Sequence, residues 1–186
     1  MNRRRFFCTP LAAIFLLALS GAATTIVRMS LDELAGATQV VARGKCIASE
    51  ARWDRGNIWT FTTLEVTETL KGSVPRQVTI RLPGGKVGHA TSTVDSVPQF
   101  RTGEEVYLFL EPTSAGDLSV TSWVQGTFRV RVDAHTGKET VTQDTAGIAV
   151  FDTATRQFKP SGVRHMPVEE FRQRVREALE RQRMGK

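Results

Sequence analysis

"VVARGKCIASEARWDRGNIWTFTTLEVTETLKG", residues 40–72, decides the fold. It divides into two long strands and a tight turn. Over residues 39–53, Val41, Arg43, Lys45, Ile47 and Ser49 alternate with Val40, Ala42, Gly44, Cys46 and Ala48. The second set is small and apolar, so it predicts a tight interior. Gly44 predicts a bulge or a sharp bend. Asp54-Arg55-Gly56-Asn57 is a turn, and residues 58–70, rich in Thr, Trp, Phe and Val, form the return strand. Trp59 and Phe61 fall on one face of it, and Leu64, Val66 and Leu70 mostly on the other. A bulge between the two groups is expected to turn both inward.

Downstream, Val78, Ile80 and Leu82 alternate as a third strand, which Pro83-Gly84-Gly85 stops. Residues 106–110 are apolar almost throughout and predict a central fourth strand. A fifth, long strand over 118–132 is broken at Gly126. "DAHTGK", residues 133–138, is a hairpin loop with Gly137 at a position tolerant of positive φ. Short strands follow at 140–142 and 148–151. Upstream, Ser30 and Glu33 form a capping box, with Met29 and Leu34 as its hydrophobic staple. Gly36 and the β-branched residues after it keep that helix short. Pro167 opens a last helix, along which Val168, Phe171, Val175 and Leu179 make one apolar stripe. Five main strands, two of them long and bent, predict a mainly β fold. The best fit is a small closed OB-like Greek-key β-barrel with a short N-terminal helix and a C-terminal amphipathic helix; a β-sandwich is the alternative.

The N-terminal residues speak to location. Arg3, Arg4 and Arg5 precede an apolar run at 6–19 and small residues at 20–23. That is the layout of a secretory signal peptide, and the run is short of the roughly 20 residues a membrane span needs. Residues 1–23 are therefore expected to be removed, leaving a barrel domain at 24–160 and a helix at 161–186 that packs on or near it. A periplasmic or secreted monomer is expected, with no membrane association beyond the signal peptide. Removal takes three arginines and no acid, so the formal net charge falls from +6 to +3. A charge that small gives little reason to expect nucleic acid as a partner. Cys46 is then the sole cysteine, so no intramolecular disulfide forms. A chain of about 160 residues can be held by its core alone.

"RLPGGKVGH", residues 81–89, has the look of a phosphate loop, but Gly85-Lys86 is followed by Val87 and by no helical pattern. Its structural reading is a strand end that opens a loop at 83–103, with Lys86 and His89 exposed. A hydrolase built on that loop, from His89, Ser92 or Ser96 and Asp95, is the enzymatic alternative. No nucleophile elbow accompanies it, and no catalytic residue is assigned. His89, His135 and His165 lie in separate segments without paired ligand spacing, so neither metal nor cofactor is expected. Trp53, Trp59, Phe61, Trp123 and Phe128 could stack ligands, with Arg52, Arg55, Arg129 and Arg131 beside them. A small barrel needs aromatic side chains inside, so core roles come first. The binding candidates are Lys86, His89, Trp59 and Trp123. A non-enzymatic module for a protein, peptide or glycan partner is the functional expectation.

"ATQVVARGKC", "VTETLKG", "TIRLPGGKVG", "FRTGEEVYLFL" and "VTSWVQGTFRV" resemble segments of a group of uncharacterised exported bacterial proteins, over residues 31–132. The resemblance implies a fold and no activity. More distantly, the strand order resembles the OB-like barrel of the tissue inhibitors of metalloproteinases and netrin-like domains. That likeness implies inhibition of an extracellular protease as a further alternative. Those proteins carry a cysteine at the mature N-terminus and several disulfides; this chain has neither, so their zinc-chelating mechanism does not transfer.

The exported protein is expected to begin at or near Thr24, after cleavage at Ala23. Intact-mass spectrometry of the exported fraction checks this. A chain still starting at Met1 and released only by detergent would contradict it.

Overall fold

The computed structural model describes residues 26–145 and 148–185; the expected signal peptide at 1–23 lies outside the described residues. The chain runs α1 (Leu31–Ala37), β1 (Val40–Asp54), β2 (Asn57–Lys71), β3 (Gln77–Pro83), β4 (Gly85–Val87), β5 (Ala90–Ser92), β6 (Glu105–Pro112) and β7 (Leu118–Val120). A 3₁₀ turn (Trp123–Gly126) leads to β8 (Thr127–Val132), β9 (Glu139–Gln143), β10 (Ala149–Asp152), β11 (Gln157–Pro160), β12 (Met166–Pro167) and α2 (Val168–Met184).

β1 and β2 pair antiparallel from Val41↔Lys71 to Asp54↔Asn57. Arg55 and Gly56 both take positive φ, 49° and 82°, as a two-residue hairpin turn matched to strand twist requires. β3 adds to β2, and β7 lies parallel to β3 at Ile80↔Leu118. β7 also pairs with β6, and β6 pairs with β1 from Val40↔Leu110 to Lys45↔Glu105. The order β1-β2-β3-β7-β6 therefore returns to β1 and closes a ring of five strands. It is a Greek key, because β6 returns beside β1 while β7 fills the gap next to β3.

The small residues of β1 face inward as their alternation demands. Val40, Ala42 and Cys46 meet Leu64, Ile80 and Leu108 in the barrel interior. The register of β1 slips between Val41/Ala42, Arg43/Gly44 and Cys46/Ala48. These irregularities bend the strand enough to close a narrow barrel. A Cβ at Gly44 would sit 3.1 Å from the Glu65 carbonyl oxygen and 3.2 Å from Leu64 Cβ, so β1 and β2 approach tightly there. Cys46 is a free, buried thiol whose pKa is raised by burial and then by the nearby Glu104 charge.

The middle of β6 has no solvent face. Val106, Leu108 and Leu110 point into the barrel, and Tyr107 and Phe109 point out under the helices. Its second edge is shared. β8 covers Val106, Tyr107 and Leu108, and β7 covers Leu110, Glu111 and Pro112. The expected fifth strand over 118–132 is thus two strands on one edge, separated by a turn. Ser122 and Trp123 take left-handed φ of 51° and 49° there. A Cβ on Gly126 would sit 2.2 Å from the Thr121 carbonyl oxygen, so the chain folds back on itself at that glycine. β7 leans away to complete the barrel, while β8 carries β9 and β12 into an outer extension of the sheet.

α2 lays Val168, Phe171, Val175, Ala178 and Leu179 onto that outer face. Phe171 is central: its ring lies 5.1 Å from Tyr107 and 4.9 Å from Phe128. α1 begins with the expected capping box of Ser30 and Glu33 and buries Leu34 beside α2. Lys71 Nζ donates to the Ala35 and Thr38 carbonyls, which satisfies the C-terminal end of α1 from β2. Beneath α2, Glu68 accepts from the Tyr107 hydroxyl at 2.8 Å and from Arg172 Nε at 2.9 Å. Burial, and then the Glu68 hydrogen bond, push the Tyr107 hydroxyl up to about 12. Among the described residues, no helix is long and apolar enough to cross a membrane.

Phe171→Ala is expected to cost about 3–5 kcal/mol, as large aromatic truncations in a core do. Arg183→Ala, on the exposed face of α2, should stay within about 0.5 kcal/mol. Denaturant titration of both variants measures the contrast.

Candidate binding site

The β1–β2 hairpin outgrows the barrel. The line of β6 ends at Lys45↔Glu105. The Cys46 N–H then donates to the Glu104 carbonyl, and the Gly103 N–H to the Cys46 carbonyl, both at 2.8 Å. Beyond that point residues 48–54 of β1 pair with residues 57–63 of β2 alone, with β3 on the far side of β2. The result is a projecting ribbon with an outer and an inner face.

Cross-strand register assigns the outer face. Phe61 stands opposite Glu50 and Arg81, and Trp59 opposite Arg52. The register of β2 with β3 runs unbroken from Trp59↔Pro83 to Glu65↔Gln77. Thr62 and Leu64 therefore keep the inner positions, and Trp59 and Phe61 stay outside. The expected inward turn of these two aromatics does not occur, because the register slips fall lower on the hairpin, opposite residues 63–71. Arginines cover them instead. The Arg52 guanidinium lies 3.7 Å from the Phe61 centroid, and that of Arg81 lies 4.0 Å from the Trp59 ring.

Arg81 is the centre of this face. It is 8% exposed, although its strand places it outside the barrel. Asp54, at the end of β1, pairs with it at 2.5 Å, and Asp117, just before β7, at 3.3 Å. Two carboxylates and two rings thus replace most of the water a guanidinium gives up. Its Nε is buried without a hydrogen-bond partner. Arg81 and Asp117 are not among the candidates read from sequence. A signal for Arg81 exists in the alternation of Val78, Ile80 and Leu82, which puts it on the opposite face. Only the register with Phe61 gives that position a meaning.

The inner face carries the glycines of the 81–89 stretch. Gly84 and Gly85 have φ of 90° and 132°. The Gly84 N–H donates to the Ile58 carbonyl at 2.9 Å, and Thr60 Oγ1 donates to the Gly84 carbonyl at 2.8 Å. A Cβ on Gly85 would sit 2.6 Å from Ala51 Cβ and 2.7 Å from Thr60 Oγ1. The chain is pressed flat onto the ribbon and then turns back as β5. The segment expected to be an unpatterned loop thus begins with a β4–β5 hairpin, paired from Gly85↔Ser92 to Val87↔Ala90. Lys86 is exposed on it and His89 is exposed at its turn. Among the described residues, no hydrogen bond joins His89, Ser92 and Asp95. The rest of the segment closes one end of the barrel: Phe100 joins the interior, and Arg129 holds Glu104 at 2.7 Å and the Gln99 carbonyl at 2.9 Å. A cleft of about 390 Å³ remains between this segment and the ribbon, with Ser49, Ala51 and Thr60 on one wall and Thr91, Val94 and Pro98 on the other.

The four candidates therefore separate. Trp59 belongs to the arginine-covered outer face, and Lys86 and His89 to the hairpin on the other side. Trp123 packs against the barrel interior. Of the remaining aromatics, Phe128 is core and Trp53 is 56% exposed near the ribbon tip. The core reading holds for Phe128 and Trp123 and fails for Trp53, Trp59 and Phe61, because the ribbon leaves the barrel before reaching these three. No protein-family model and no curated protein matches this chain.

Gly85→Val should destabilise by at least about 1–3 kcal/mol, the cost of a strained φ, with the blocked Cβ adding to it. Lys86→Ala and His89→Ala should each shift stability by less than about 0.5 kcal/mol. Urea melts of the three variants distinguish a structural glycine pair from a ligand loop.

Proposed function

We propose that this is an exported, non-enzymatic interaction module that binds a protein partner on the outer face of β1, β2 and β3. The observation that carries the reading is the layered set Arg52–Phe61–Arg81–Trp59, held by Asp54 at the end of β1 and Asp117 just before β7. Tryptophan and arginine are among the side chains most enriched where binding energy concentrates in protein interfaces. Ordered layers of this kind lose little side-chain entropy when a partner covers them. In OB-like barrels the same region, the face of the second and third strands with its flanking loops, is the usual ligand surface. The charge pattern favours protein over nucleic acid. Glu50, Asp54 and Asp117 are interleaved with Arg52 and Arg81, and such carboxylates would repel a phosphate backbone. Export rests on the basic, apolar and small-residue order of residues 1–23.

The test is affinity capture by the immobilised mature chain from the exported fraction, with crosslinking to identify the contact residues. Trp59→Ala, with its fold checked by melting, should weaken retention at least ten-fold, about 1.4 kcal/mol. Lys86→Ala/His89→Ala should retain the partner in full. A partner held equally by the Trp59 variant, or crosslinked only to the β4–β5 hairpin, would overturn the reading.

A further inference from the structure

The free edge of the ribbon presents a self-complementary surface. A two-residue hairpin turn makes Asp54↔Asn57 a hydrogen-bonded pair, so residues 52 and 50 of β1 also aim their backbone groups at β2. Ser49, Ala51 and Trp53 aim theirs the other way. The Ile58 carbonyl, opposite Trp53, does point away from β1, since it accepts from Gly84. Beyond Cys46, no other strand pairs with this edge of β1 among the described residues. The stretch 48–54 spans about 20 Å at ~3.3 Å per residue. The closing segment 91–100 stands across the cleft from Ser49 and Ala51.

We infer that this edge pairs with the same edge of a second copy of the chain, antiparallel and centred on Ala51. A twofold axis there pairs Ala51 with its counterpart through both backbone hydrogen bonds, and Ser49 with Trp53 of the second copy. It sets Glu50 directly opposite Arg52 of the second copy, and by symmetry does so twice. Among the described residues, Glu50 makes no ion pair within the chain, and Arg52 meets the Phe61 ring alone. Opposite charges facing across strands stabilise pairing, and like charges oppose it. No like charges face each other in this register, and it engages the whole of 48–54. With β3 beside β2 in each copy, the joined ribbons then form one continuous six-stranded sheet. Its outer face joins two copies of the Arg81-centred surface, so a partner repeated in space would meet two sites together.

Sedimentation equilibrium of the mature chain tests this, together with hydrogen exchange followed residue by residue. The wild type is expected to dimerise with slowed exchange at the Ser49, Ala51 and Trp53 amides. Glu50→Arg should weaken dimerisation at least ten-fold, and Arg52→Glu likewise. Glu50→Arg/Arg52→Glu should restore it to within a few-fold, a recovery that a misfolded variant would not show. A wild type that stays monomeric at all concentrations overturns the inference. So does a dimer indifferent to Glu50→Arg, or one whose three amides exchange as in the monomer. The capture experiment on Trp59 reads retention of a different protein and not self-association, so either proposal can fail alone.

Discussion

Everything in this molecule is organised around five consecutive residues that water never reaches. Residues 106–110 of β6 are buried on both faces of the strand, which a sheet with one wet face would not allow. Burying them needs a barrel on one side and helices on the other. The barrel supplies the first through the small interior side chains of β1 and the inward residues of β2 and β3. The stripe of α2 supplies the second, with Phe171 set between Tyr107 and Phe128. The two clusters share the backbones of β6 and β1, so each layer is stable because the other is present. The polar ties obey the same demand. Glu68 and Arg172 meet beneath α2, where the Tyr107 hydroxyl, carried there by its ring, must be satisfied.

The functional face follows from a mismatch in length. β1 and β2 are each 15 residues, and β6 is 8. The excess cannot be barrel and must be ribbon. A ribbon has two faces and one unprotected edge, and each is handled differently. The inner face is covered by a hairpin that only glycines allow to lie so close. The outer face is armoured by arginines on aromatic rings. The edge carries alternating charge, a common way of controlling which strands pair with it.

Strand existence and the two helices are legible in the sequence because periodicity and capping act locally. The alternation over 39–53, the apolar run at 106–110, the capping box at Ser30 and the stripe of α2 each report on neighbours a few residues away. What escapes is long-range. Whether Trp59 and Phe61 face in or out depends on where the bulges fall relative to β2, and three slips on β1 cannot be located from side-chain pattern alone. Arg81 can be placed on a face but not given partners, since Asp54, at the end of β1, and Asp117, just before β7, are distant in the chain. The break at Gly126 is visible. Its effect, one edge of β6 serving two strands that diverge, is not, because it depends on a backbone approach within residues 121–126 rather than on any pattern of polarity.

Ring closure has a temporal consequence. The contact that shuts the barrel joins Val40 to Leu110, across a loop whose closure entropy is on the order of 4 kcal/mol by logarithmic scaling with length. The β1–β2 hairpin is local, and closing it costs far less. Any state in which that hairpin stands without β6 leaves its small apolar face uncovered. Topologies of this kind fold in milliseconds to seconds rather than microseconds, and uncovered apolar strands invite misassociation. Arg43, Lys45, Glu50 and Arg52 line that hairpin. Charges set among apolar strand residues in this way oppose aggregation whenever the strand is uncovered.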